Sequence, residues 1–159
     1  LLQRVTVRTL GGGVAGIEMR DSENGPCLVR DVRVEGFGYG VIVDALNAAT
    51  ISQLTVTGQS LAGVVNRSGA NPVYIEGLTS TNAVPAVLNG TLSDSWGHLT
   101  LVNATLTGTG AASAQPAIRT NGVMLARAVT TSGYQRALAE FNGVGPGVAG
   151  ATFSEYRSY

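Results

Sequence analysis

The most regular feature of the chain is a short pattern of apolar and polar residues that recurs every 22–27 residues. Each copy is centred on one apolar residue, with other apolar residues two positions after it and three and five positions before it. The central residues of the six copies are Val5, Val32, Leu54, Leu78, Ala104 and Ala128. Alternation with a period of two predicts two short β-strands in each copy, each strand burying one face.

A sharp corner must join these two strands, because only two residues separate them. The second of these residues is Arg4, Asp31, Gln53, Gly77, Asn103 or Arg127. Glycine, asparagine and aspartate tolerate the left-handed backbone conformation that a one-residue corner requires. Arginine and glutamine are less natural in this conformation, but the shared spacing predicts a left-handed corner at this position in every copy.

A third β-strand is predicted in the second half of each copy. The six segments are residues 16–19, 40–43, 63–66, 85–88, 116–119 and 136–139. The glycine-rich stretches between them leave no room for helices of ten or more residues. The pattern thus predicts an all-β chain folded as a right-handed parallel β-helix, with about six coils of 22–27 residues and three short strands in each coil.

The repeat also predicts the organisation of the chain. Residues 1–142 form the coils, as a fragment of a longer solenoid, and residues 143–159 form a Gly/Pro-rich exit segment that is a terminal coil or a cap. Leu1 and Leu2 fall directly into the repeat. An uncovered first coil exposes strand edges, so we expect the remainder of a longer chain or a second copy of this chain to cover it.

Composition excludes several functions. Ten basic residues, all of them arginine, balance ten acidic residues, so no basic stripe is available to neutralise nucleic-acid phosphates. One cysteine and one histidine argue against a metal site, and no cofactor is predicted. No apolar run is long enough to cross a membrane.

Several segments resemble the pectate-lyase-like right-handed parallel β-helix superfamily, with the closer likeness to family-55 glycoside hydrolases and bacterial parallel β-helix repeat proteins. The segments that carry the likeness are residues 63–66, 73–78, 84–89, 99–104 and 125–134. The resemblance implies a secreted, extracellular bacterial protein that acts on polysaccharide. It rests on scaffold positions and brings no catalytic motif, since the Asp-Asp pair and the lysine of polygalacturonases are absent, as are the clustered aspartates of calcium-dependent lyases.

In this superfamily the third strand and the residues after it line the substrate groove. The resemblance therefore makes Glu18 and Asp44 the candidate catalytic residues. The candidate substrate-binding residues are Arg20, Asn66, Arg67, Arg119 and Glu140. Stacked strands lie about 4.8 Å apart, so carboxylates on neighbouring coils could reach either carboxylate spacing used by glycosidases, about 5–5.5 Å or about 6.5–9.5 Å. The alternative is that both acids are surface charges paired with Arg20 or Arg67.

An apolar row argues against catalysis on this face. The middle positions of the third strand are Ile42, Val65, Val87, Ile118 and Leu138. If these side chains project outward, residues 20–26, 44–48 and 89–96 or a partner must cover them. We therefore expect a scaffold or substrate platform of a carbohydrate-active protein. A polysaccharide lyase or glycoside hydrolase with its site on this face is the alternative.

A threonine pattern suggests a further alternative. The outward positions of the strand after the corner read Thr-x-Thr in three consecutive coils, at residues 55–57, 79–81 and 105–107. Regular threonine rows on a flat solenoid face are how several ice-binding proteins present hydroxyl and methyl groups. Arg33 and Glu35 interrupt the pattern, and β-branched residues also suit exposed strands in general, which is the simpler explanation.

Overall fold

The computed structural model describes residues 1–21, 26–45, 47–69, 71–90, 97–141 and 147–158. It confirms the all-β class and the parallel β-helix, as a solenoid of about five turns. Each of the six predicted coils contributes strands to two sheets, which we call sheet A and sheet B. Among the described residues, no helix is both long and apolar enough to span a bilayer.

Sheet A contains the strands on both sides of each corner. They are β1 (Leu2–Gln3), β2 (Thr6–Arg8), β4 (Cys27–Glu35), β6 (Ala49–Thr57), β8 (Val73–Glu76), β9 (Thr79–Asn82), β11 (His98–Gly108), β13 (Val123–Ser132) and β15 (Thr152–Ser158). The two strands predicted in each coil run together as one bent strand in four coils, because the one-residue corner barely interrupts the pairing.

Sheet B contains the predicted third strand of every coil. Its strands are β3 (Ala15–Asp21), β5 (Tyr39–Ala45), β7 (Ala62–Asn66), β10 (Val87–Asn89), β12 (Pro116–Thr120) and β14 (Arg136–Glu140). One short 3-10 helix, Gly110–Ala114, precedes β12. All strands of sheet B pair in parallel with their neighbours.

The core is a set of aliphatic stacks between the two sheets. In sheet A, Ile51 stacks on Ile75 and Ile75 on Leu101, and all three side chains are fully buried. In sheet B, Val41 and Val64 form the facing stack. Because most coils place an aliphatic side chain at the same inward position, apolar burial extends along the axis of the solenoid.

The predicted corners are confirmed in five coils. Arg4, Asp31, Gln53, Gly77 and Asn103 all have φ between 53° and 70°. Four of these residues carry a Cβ, so each pays a steric cost in this conformation. The stacking of neighbouring coils holds the corners in place, since the chain must turn at the equivalent position in every coil for the strands to stay paired.

The predicted register is wrong by one residue in the sixth coil. There Val129, not Ala128, pairs with Ala104 and is fully buried. Ala128 is exposed and takes the left-handed corner, with φ 53°, that was predicted for Arg127. A one-residue slip reverses the face of every side chain in a strand. Apolar residues alternate in both registers of this coil, so the pattern alone does not identify the correct one. Pairing with β11 determines the register.

The two ends of the solenoid differ. At the C-terminal end, β15 pairs antiparallel with β13 and covers the edge of sheet A. At the other end, β3 pairs only with β5 among the described residues, and Val5 in the first coil is 36% exposed. The expectation that a longer chain or a second copy covers this edge stays a prediction.

We expect Ile75→Ala to lower the free energy of unfolding by about 2–5 kcal/mol, through lost burial and a residual cavity. Chemical denaturation measures this. The matched control is Thr79→Ala, four residues later on the outer face, which should change stability by only about 0.5 kcal/mol. A loss below about 1 kcal/mol for Ile75→Ala would show that the stack does not carry the core.

Ala128→Asn should stabilise the protein by up to about 1 kcal/mol, because asparagine tolerates the left-handed conformation better than alanine. Asn103 already occupies the equivalent corner in the preceding coil. The control is Arg127→Asn, which the structure predicts to bring no gain. Thermal and chemical denaturation of both variants compare the two registers directly. If Arg127→Asn stabilised the protein and Ala128→Asn did not, the register predicted from sequence would be the correct one.

Candidate functional site

The outer face of sheet B carries most of the residues that the sequence analysis selected. The strand register aligns Glu18, Ile42 and Val65 in one outward row, which Leu88, Arg119 and Ala139 continue. A second outward row lies two residues further along each strand, and in it Arg20 pairs with Asp44. Asn66 pairs with Val43. The next residue, Arg67, therefore follows Asp44 in this second row. The parallel stacking thus brings five of the seven candidates onto one surface.

The apolar row on this face is shorter than predicted. Ile42 and Val65 do project outward and are nevertheless only 1% and 3% exposed, so this part of the face is covered. Val87, Ile118 and Leu138 belong instead to the inward row, stacked with Val64 in the core, and their predicted outward position was wrong. Of the loops expected to cover the face, residues 22–25, 46 and 91–96 lie outside the described residues.

Glu18 and Asp44 lie on the same face but not side by side. Glu18 is opposite Ile42, whereas Asp44 is opposite Arg20, so the two acids are diagonal neighbours. One strand spacing and two residues along the strand separate their Cα atoms by about 8 Å. The carboxylate of Glu18 forms an ion pair with Arg20, 2.5 Å between Oε1 and Nη2. This pairing is the one expected if Glu18 is a surface charge.

Two of the candidate arginines stack on aromatic rings. The guanidinium carbon of Arg67 lies 5.6 Å from the ring centre of Tyr39, and that of Arg119 lies 5.0 Å from the ring centre of Phe141. Both arginines are half-buried. Such stacking restrains a guanidinium group while its edge keeps N–H donors for a ligand. The sequence alone does not pair these residues, because each arginine is more than twenty positions away from its aromatic partner.

Asn66 faces the inside of the solenoid rather than the groove. Its Nδ2 donates to Oδ1 of Asn89 (2.9 Å) and to the carbonyl of His98 (3.3 Å). Its Oδ1 accepts a hydrogen bond from the backbone N–H of Ser68 (3.0 Å). Asn89 in turn donates to Oγ1 of Thr120 (3.1 Å). These buried residues form an internal polar ladder, so the side chain of Asn66 has no access to a ligand on the outer face.

Glu140 occupies the same inward row in the last coil. It pairs with Thr120, and its Oε1 accepts a hydrogen bond from the hydroxyl of Tyr156 in β15 (3.2 Å). Partial burial, together with the nearby Glu140 carboxylate, raises the pKa of Tyr156. Glu140 thus joins the last coil to the terminal strand, and it lies apart from the row that contains Arg67.

The outer face of sheet A has a groove that the sequence pattern did not predict. Its volume is about 510 Å³. It is lined by His98, Thr100, Val123, Leu125 and Arg157, among others. Val123 and Leu125 were predicted to be buried, and only the corrected register of β13 turns them outward. Among the described residues, no three His, Cys, Asp or Glu side chains are grouped so as to hold a metal ion.

Comparison with known proteins finds no family model, no curated protein and no solved structure that matches this chain. The solenoid architecture therefore rests on the structure itself. The likeness to the pectate-lyase-like superfamily stays a prediction from the sequence.

We expect Asn66→Ala to lower the free energy of unfolding by about 2–4 kcal/mol, because it leaves buried hydrogen-bonding groups without partners. Denaturation with urea measures the loss. Arg67→Ala, at the next position but on the outer side, is the control and should cost about 1 kcal/mol or less. An unchanged stability for Asn66→Ala would mean that the ladder contributes nothing to the core.

Proposed function

We propose that this solenoid is a scaffold and substrate platform of a secreted bacterial carbohydrate-active protein. In this proposal a polysaccharide lies along the axis of the solenoid, across the strands of sheet B. The observation that carries the proposal is the pair of arginine–aromatic stacks, Arg67 on Tyr39 and Arg119 on Phe141, on the surface that the parallel register makes continuous.

The chemistry of this surface suits an extended sugar polymer. From Arg20 in the first coil to Arg119 in the fifth, the candidate side chains extend over about 19 Å, at about 4.8 Å for each coil. Guanidinium groups present several N–H donors in one plane, which suits hydroxyl and carboxylate oxygens. Stacking on Tyr39 and Phe141 lowers the entropy that two of these arginines lose when they bind.

A platform fits these observations better than an enzyme confined to this segment. Glu18 is held by Arg20, and Asp44 lies diagonal to it rather than opposite. The neighbouring outward residues Ile42 and Val65 are covered, so these two positions offer no open cleft beside the acids. Any catalytic step would then use residues outside this surface.

Binding to soluble polysaccharides tests the proposal. Affinity electrophoresis with polygalacturonate, xylan and a β-1,3-glucan should retard the protein in at least one gel. Replacing both Arg67 and Arg119 by Ala should weaken that binding by about tenfold or more, since each lost charge-assisted hydrogen bond is worth about 1.5–3 kcal/mol. The control is Arg30→Ala, an exposed arginine on sheet A that pairs with Asp31.

The control should bind as the unchanged protein does. Equal binding by the double arginine variant, or no binding to any of the three polymers, would refute the platform. The enzyme alternative is tested on whatever activity the intact protein has. Glu18→Gln and Asp44→Asn should leave it within about threefold, whereas loss of a catalytic acid or base costs about 10²–10⁴-fold.

A further inference from the structure

The second half of sheet A presents a two-column array of hydroxyl side chains on its outer face. One column is Thr55, Thr79, Thr105 and Thr130, and the other is Thr57, Thr81, Thr107 and Ser132. Residues within a column are directly paired across parallel strands, so they lie about 4.8 Å apart. The two columns are separated by two residues along each strand, or about 6.6 Å.

The corrected register of the sixth coil completes this array. In the predicted register, Thr130 points inward and Val129 and Thr131 point outward. Pairing of Thr105 with Thr130 and of Thr107 with Ser132 reverses those faces. The array therefore has four consecutive rungs instead of three. The corner that precedes each rung has φ between 53° and 70°, so all four rungs leave the corner in the same direction.

The array contains neither charged nor aromatic side chains. Its eight residues are all at least partly exposed. Within the described part of the chain, their hydroxyls make no hydrogen bond to other protein groups. Each hydroxyl is thus available as a donor and an acceptor, and each threonine adds a methyl group beside it. Water over such a surface is anchored by the hydroxyls and restricted by the methyl groups.

The charged residues that interrupt the sequence pattern lie at one end of the array. Arg33 pairs with Thr55 and Glu35 with Thr57 across the strands, beyond the first rung. Arg8 and Arg33 both form ion pairs with Glu35. Hydrogen bonds from Arg8 and then Arg33 lower the pKa of the Glu35 carboxyl. This cluster borders the four rungs and does not break their continuity.

We infer that the threonine array is an ice-binding face. A surface with a fixed two-dimensional repeat, no net charge and unused hydroxyl groups selects a ligand that is itself periodic, uncharged and able to form hydrogen bonds. Ice has all three properties. A crystalline polysaccharide shares them, but the array has neither the aromatic rings nor the guanidinium donors that sheet B carries. The small side chains instead present separate hydroxyl groups, each able to bond a single water molecule.

Ice-crystal shaping and inhibition of ice recrystallisation test this inference. The unchanged protein should produce faceted ice crystals and slow recrystallisation in a frozen film. Thr79→Tyr, in the middle of one column, should abolish both effects, because the ring stands above the plane of the array. The matched control is Thr50→Tyr on the same outer side of sheet A, outside the array, and it should behave as the unchanged protein.

Three further variants separate the contributions of the hydroxyl group, the methyl group and the register. Thr105→Ser keeps the hydroxyl and loses the methyl, whereas Thr105→Val does the reverse, and both should weaken crystal shaping. Thr130→Tyr should abolish shaping only if Thr130 belongs to the array. Circular dichroism melting shows whether each variant remains folded.

The inference is overturned if the unchanged protein leaves ice crystals round, or if Thr79→Tyr and Thr50→Tyr act alike. Sedimentation with crystalline cellulose and chitin tests the other periodic ligand. Binding there that Thr79→Tyr removes, without any effect on ice, would also overturn the inference. Soluble-polysaccharide binding on sheet B should survive Thr79→Tyr, so failure on one face is distinguishable from failure on the other.

Discussion

Parallel pairing between consecutive coils is the interaction on which the rest of the structure depends. It requires the chain to turn at the equivalent position in neighbouring coils. The left-handed corner is therefore imposed even where the residue is Arg4, Gln53 or Ala128. The steric cost of a Cβ in that conformation, about 1–2 kcal/mol, is offset by the backbone hydrogen bonds and buried stacks that a regular register preserves. Ile51, Ile75 and Leu101 are stacked for this reason.

The same pairing generates both candidate binding surfaces, on sheet A and on sheet B. On sheet B it aligns single residues from separate coils into rows, so that Arg20, Asp44 and Arg67 become neighbours although more than twenty residues separate each from the next. On sheet A it converts a Thr-x-Thr pattern into a lattice. A solenoid therefore turns repetition in sequence into repetition in space, which suits ligands that are themselves long or periodic.

The interior is not purely apolar, and this affects how polar residues in the repeat are interpreted. Asn66, Asn89 and Thr120 occupy one inward row and satisfy one another by hydrogen bonds. A buried polar group without a partner is costly, so such a ladder is stable only if neighbouring coils carry matching residues. Asn66 was a candidate ligand contact because the resemblance places the third strand, and the residues after it, along the substrate groove. Its partners become visible only when the coils are stacked.

The sequence by itself determined the all-β class, the parallel β-helix, five of the six corners and all six strands of sheet B. Each of these follows from local alternation and from a period that the chain repeats. The register of the sixth coil was decided only by the tertiary structure, because Met124, Ala126 and Val129 alternate as well as Val123, Leu125 and Ala128 do, and only pairing with β11 distinguishes them. The same is true of the arginine–aromatic stacks and of the fourth rung of the threonine array. These features depend on which residues of different coils are opposite one another, and a single coil carries no information about that.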